Sequence, residues 1–113
     1  MMTKCNTTNN SALSTSESDL FDEQTLALQS KALSHPARIR ILKILYTLDK
    51  VDGCLNSDLV SELGLAQSTV SEHLRILKSA GFITTEPMPP KTCYRINQGQ
   101  LSQYLTLFNG IFS

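Results

Sequence analysis

Apolar residues recur at helical spacing through five stretches of this 113-residue chain and fall into short β-prone runs in two more. The first helix is expected over Leu20 to Leu33, with acidic residues near its start to complement the helix dipole. Ser34-His35-Pro36 interrupts it, and Pro36 suits the first turn of a second helix. There Ile39, Ile41, Leu42, Ile44, Leu45 and Leu48 leave little polar surface, which predicts a place at the centre of the domain. Asp49 to Gly53 reads as a loop. Asp58 to Leu63 carries Leu59, Val60 and Leu63 on one stripe and ends at Gly64, where a left-handed backbone is cheap. A longer helix starts near Gln67 with Val70, Leu74 and Leu77 on its buried face. Beyond Gly81 the pattern turns extended: Phe82–Thr85 and Cys93–Ile96 are β-prone, and the prolines of Glu86–Thr92 are expected to exclude regular structure between them. A last helix, from Gln98 to Ser113, holds no charged residue.

A short helix, a tight turn and a longer helix with a polar outer face form the pattern of a helix-turn-helix. At 100° per residue, Ser68, Glu72, Arg75 and Ser79 lie opposite the apolar stripe, with Thr69 beside them. Small hydroxyl residues followed by an arginine suit approach to base edges and phosphates in a major groove. The expected DNA-facing set is Gln67, Ser68, Thr69, Ser71, Glu72, His73 and Arg75, with Lys91 and Arg95 added from the hairpin. His73 stands at the margin of the buried stripe. Glu72 either opposes phosphates or accepts from a cytosine amino group. A hairpin directly after such a helix is a wing. The expected fold is therefore mostly α with a small β-wing: a winged helix-turn-helix of five helices and a β-hairpin, homodimeric, over residues 18–113. Residues 1–17, rich in Ser, Thr and Asn, read as a disordered tail.

A core this small is marginal alone. Leu101, Tyr104, Leu105, Phe108, Ile111 and Phe112 form an apolar stripe on the last helix, and with Leu20 and Leu26 they are the expected dimer interface. The net charge is zero, yet residues 1–30 set one lysine against four carboxylates while residues 31–113 hold nine basic and six acidic groups. Residues 31–113 thus carry +3, which weakens the charge objection to a nucleic-acid partner. No apolar run approaches a bilayer span, and three cysteines do not make an extracellular disulfide framework, so a cytoplasmic protein without a membrane partner is expected. No catalytic constellation or required cofactor is legible. A protein-interaction module that kept the shape without binding DNA is the competing class.

Three motifs carry a resemblance: ALSHPARIRILKIL, DLVSELGLAQSTVSEHLRILKSAGFI and CYRIN, in that order between Ala32 and Asn97. In order and spacing they resemble the ArsR/SmtB family of bacterial winged-helix repressors. The resemblance implies a homodimer joined through the first and last helices, reading an inverted-repeat operator in double-stranded DNA and released by an inducer. The Cys-Val-Cys type pair of many metalloid-sensing members is reduced here to Cys54, with Asn56 where a second cysteine would lie and suited instead to capping a helix. The Asp, His and Glu ligands that zinc-sensing members place on the last helix are missing. In winged helices the segment before the helix-turn-helix often pairs with the second wing strand, which would bring Cys54 to Cys93. Such a pair either binds trivalent arsenic or a soft metal ion or forms a regulatory disulfide, or else the two are small buried hydrophobes. Cys5 is a third sulfur or an idle thiol. His35 and His73, single imidazoles on separate elements, make a weak metal site.

Overall fold

The computed structural model describes residues 12–55 and 59–113. Five helices and one hairpin follow in the order α1 (Glu17–Ala32), α2 (Pro36–Asp49), α3 (Leu59–Leu63), α4 (Gln67–Ser79), β1 (Ile83–Met88), β2 (Lys91–Ile96) and α5 (Gln98–Ile111). Three helix starts have a local cause. Ser16 and Asp19 close a reciprocal capping box on α1, three residues ahead of the expected start. His35 caps α2 by accepting from the Ala37 amide at 3.0 Å, and Pro36 fills its first position. Asn97 caps α5. The expected cap at Asn56, the tail over residues 1–11 and Cys5 lie outside the described residues.

Gly64 and Gly81 take positive φ, +65° and +85°. At Gly81 this closes α4: the Gly81 amide reaches the Lys78 carbonyl and the Phe82 amide reaches that of Leu77, each at 3.0 Å. The chain reverses there and drops Phe82 into the core. Ile41 and Leu45 of α2, Leu77 of α4, Phe82 and Ile83 are essentially inaccessible; each such side chain contributes about 1.5–3 kcal/mol on burial. Tyr104 of α5 meets Phe82 edge-on and exchanges a 2.8 Å hydrogen bond with Ser30 of α1, so α5 folds back onto its own domain along one side.

Two expectations about packing need correction. Glu86–Thr92 is not irregular. β1 runs through Pro87 to Met88, and the antiparallel ladder pairs Ile83 with Ile96 and Met88 with Lys91, leaving Pro89-Pro90 alone at the tip. A proline is tolerated on an edge strand whose nitrogen side has no partner, and a two-stranded sheet is all edge. Helix α2 is central on one face only, since Ile39 and Tyr46 remain exposed. No helix among the described residues is long and apolar enough to cross a membrane.

Candidate nucleic-acid interface

The second helix of the motif presents a clean division. Val70, His73 and Leu77 of α4 are buried, whereas Gln67, Ser68, Thr69, Ser71, Glu72, Arg75, Lys78 and Ser79 are exposed. Alternation at 3.6 residues per turn produces this split, because one stripe seats against α2 and α3 while the other stays exposed. Ala66 supplies no side-chain cap, so the amino end of α4 is left without a capping side chain, an end that favours anions. Gln67 reaches along the helix to Ser71 at 3.3 Å. Arg75 forms a two-pronged ion pair with Glu72, its Nε donating to Oε1 at 2.9 Å and its Nη2 to Oε2 at 2.5 Å. That bond holds the Glu72 carboxyl below its ordinary range and raises the Arg75 guanidinium.

His73 does not stand with the exposed residues. It is 6% exposed and turned inward, a correction to its expected place in the DNA-facing set. Arg38 of α2 donates to its Nδ1 at 3.1 Å, and since arginine has no acceptor, that nitrogen carries no proton. Burial first, then the nearby His35 and Arg38, pushes the imidazole below its ordinary value, so it is neutral at pH 7. The His35 ring lies 4.4 Å away, and Arg38 Nη2 also meets the Lys31 carbonyl and Ser34 Oγ. This polar knot fastens α4 to the start of α2 and sets the tilt of the exposed face. Sequence reasoning missed Arg38, because nothing along the chain connects it to a residue 35 positions away.

In the wing, Lys91 is exposed beside the tip. Arg95 is engaged instead: its Nε donates to Glu86, its Nη1 to the Gly53 carbonyl at 3.2 Å, and Asp52 stands 3.8 Å off. Glu86, the largest influence, raises its pKa. Its expected phosphate contact therefore gives way to a brace between the wing and the segment that enters the helix-turn-helix. Leu55 and Tyr94 bridge the same two pieces by paired backbone bonds of 3.0 and 2.9 Å. Directly beside that bridge, Cys54 and Cys93 are joined as a disulfide with Cα atoms 5.7 Å apart. Cys93 is fully buried and Cys54 half-buried. Among the described residues no group of three or more His, Cys, Asp or Glu side chains is gathered to hold a metal ion.

The family model described as "bacterial regulatory protein, arsR family" matches residues 35–85, which run from the α2 cap through the motif into β1. Over 83 residues the chain is 35% identical to the HTH-type transcriptional regulator CmtR of Mycobacterium bovis, a match covering 74% of this chain and 67% of that one. The chain belongs to the ArsR family. It is also 35% identical over 77 residues to the uncharacterised HTH-type regulator Rv0081 of Mycobacterium tuberculosis, covering 68% of this chain and 65% of that protein's length. The crystal structure of Rv0081 superposes with a TM-score of 0.58 over 80% of this chain and 88% of the other at 28% identity. A solution structure of a Mycobacterium bovis homodimeric winged helix-turn-helix DNA-binding domain, Mb0332, gives a TM-score of 0.56 at 21% identity, covering 93% of this chain and 86% of that one. The expected winged helix-turn-helix with five helices and a two-stranded antiparallel hairpin is thus the observed fold.

Proposed function

We propose that this ArsR-family chain is a cytoplasmic transcriptional regulator, a repressor, which binds an inverted-repeat operator as a homodimer. The observation that carries the reading is the uncovered polar face of α4, from Gln67 to Ser79, with an uncapped amino end. Ser68, Thr69, Ser71, Glu72 and Arg75 face the groove, Gln67 and the first amides meet a phosphate, and Lys91 on the wing meets the backbone alongside. Dimerisation has its own support. Leu20, Phe21 and Leu28 of α1, and Leu105, Phe108 and Phe112 around the end of α5, are exposed apolar side chains on two helices that pack together. Leu26, Leu101, Tyr104 and Ile111 of the same two helices are half-buried. Mb0332, similar in fold, is described as homodimeric. Selection from a random duplex pool tests the proposal. Enrichment of a two-fold symmetric site supports it; a protein that enriches no duplex but co-purifies with a protein partner would instead be an interaction module.

The same proposal extends to induction through Cys54 and Cys93. A disulfide in a reducing compartment is commonly a transient, responsive one. In the thiol form the pair offers two soft sulfurs to trivalent arsenic or a soft metal ion; alternatively, an oxidant of the peroxide class removes two electrons and two protons to join them. Either product clamps Gly53–Leu55 to β2, beside the Arg95 brace, and so constrains the entry to α3 relative to the wing. Arsenite or peroxide is expected to release the wild-type protein from its operator. Cys54→Ser and Cys93→Ser are each expected to remain bound. Full release of the double serine variant would leave the cysteines with a packing role.

A further inference from the structure

The ion pair on the exposed face of α4 distinguishes two ways in which an arginine meets DNA. Arg75 carries five N–H donors in a planar fork. Glu72 occupies the Nε edge and one Nη2 hydrogen. The outer edge, formed by Nη1 and the second Nη2 hydrogen, has no other hydrogen-bond partner among the described residues and projects from a side chain 62% exposed. Two acceptors side by side are what the major-groove edge of guanine presents, at O6 and N7. A phosphate presents a similar pair, but the partner carboxylate decides between them. Glu72 cancels the guanidinium charge and adds a negative group within a few ångströms, which removes most of the attraction to a phosphate while leaving the donor geometry intact. The carboxylate also limits the guanidinium to a few rotamers, so less freedom is lost on docking. Ser71 and Ser68, one and two turns nearer the amino end on the same exposed side, are small enough to let the helix approach.

We infer that Arg75 reads a guanine in each operator half-site through its outer edge, and that Glu72 is its positioning residue, which aims the fork and keeps it off the phosphate backbone. The assignment rests on the DNA-binding reading proposed above. It makes Glu72 a specificity determinant although it touches no base itself, and it settles the two roles that the sequence left open for this acid in favour of a third.

The test compares operator selection and salt-dependent affinity for the wild type, Arg75→Ala, Arg75→Lys and Glu72→Gln. The wild type is expected to enrich a guanine at one position of each half-site. In Arg75→Ala the preference at that position flattens and operator affinity falls about 5- to 150-fold, with other positions unchanged. Arg75→Lys keeps the charge but loses the fork, so it flattens the same position and guards against misfolding of the alanine variant. Glu72→Gln frees one positive charge: non-specific affinity rises, the logarithmic salt slope steepens by about 0.9, and guanine preference weakens. Uniform loss of affinity across all duplexes in Arg75→Ala, with a shallower salt slope, would make Arg75 a phosphate contact and overturn the inference. So would loss of a cytosine preference in Glu72→Gln with Arg75→Ala unaltered, because Glu72 would then be the reader. If the wild type enriches no duplex, the DNA-binding reading itself falls, and this assignment with it.

Discussion

Replacing Arg38 by Met should loosen the seating of α4 by an amount that depends on pH. The methionine stem covers the same apolar surface, so the loss is confined to the hydrogen bonds to His73 Nδ1, the Lys31 carbonyl and Ser34 Oγ at 3.1, 3.4 and 3.4 Å. The last two are long and partly exposed, and contribute little. Nδ1 of His73, in a ring only 6% exposed, is left without a donor, at a cost of about 1–3 kcal/mol. For a domain of this size that corresponds to a Tm lowered by at least about 4 °C at pH 8. The wild type has its own pH dependence. His73 is depressed mainly by burial, so the unfolded chain binds the extra proton first; stability present above about pH 6.5 is lost as pH falls toward the depressed folded value. One proton sets an upper bound of about 1.4 kcal/mol per pH unit on the slope in that window. Arg38→Met removes a permanently charged neighbour of His73, so its deficit should narrow between pH 8 and pH 5.5. Thermal melts by circular dichroism at fixed protein concentration measure both effects. An unchanged Tm at pH 8, or a deficit that does not vary with pH, would refute the knot's assigned role.

Four further substitutions test the geometry. Gly64→Ala adds a Cβ that meets nothing within 4 Å but stands at φ +65°, so it should cost about 1–2 kcal/mol through backbone conformation alone, read as a shift in denaturant midpoint. Lys91→Ala should reduce the salt slope of operator binding by about 1, whereas Arg95→Gln should leave that slope unchanged and lower thermal stability, since its donors already serve Glu86 and Gly53. Phe108→Asp places a charge in the exposed α1–α5 face and should yield monomers by light scattering with the far-ultraviolet spectrum retained.

The helices were legible because each carries its own punctuation: Ser34-His35-Pro36 before α2, Gly64 before the turn, Gly81 after α4. The polar face of α4 followed from the angular positions of Val70, Leu74 and Leu77. The failures lie where a residue's fate depends on a distant neighbour. His73 sits at the border of the stripe, and only the approach of Arg38 from α2 draws it inward. Arg95 resembles a free wing cation until the Gly53 carbonyl, 42 positions earlier, and Glu86 across the hairpin take its donors. The length of the wing was concealed by proline chemistry, since Pro87 stops a central strand but not an edge. The Glu72–Arg75 pair was open to local reasoning, being three residues apart on one helix, yet the same spacing fits two independent side chains.

Hydroxyl-radical footprinting on a selected duplex, with the bound stoichiometry measured alongside, tests the central claim most directly. Two chains per duplex and two protected patches on one face of the DNA, about one helical turn or 10–10.5 base pairs apart, are the expected result. A single patch, or two patches on opposite faces of the duplex, would contradict a dimer that places its paired α4 helices in successive major grooves.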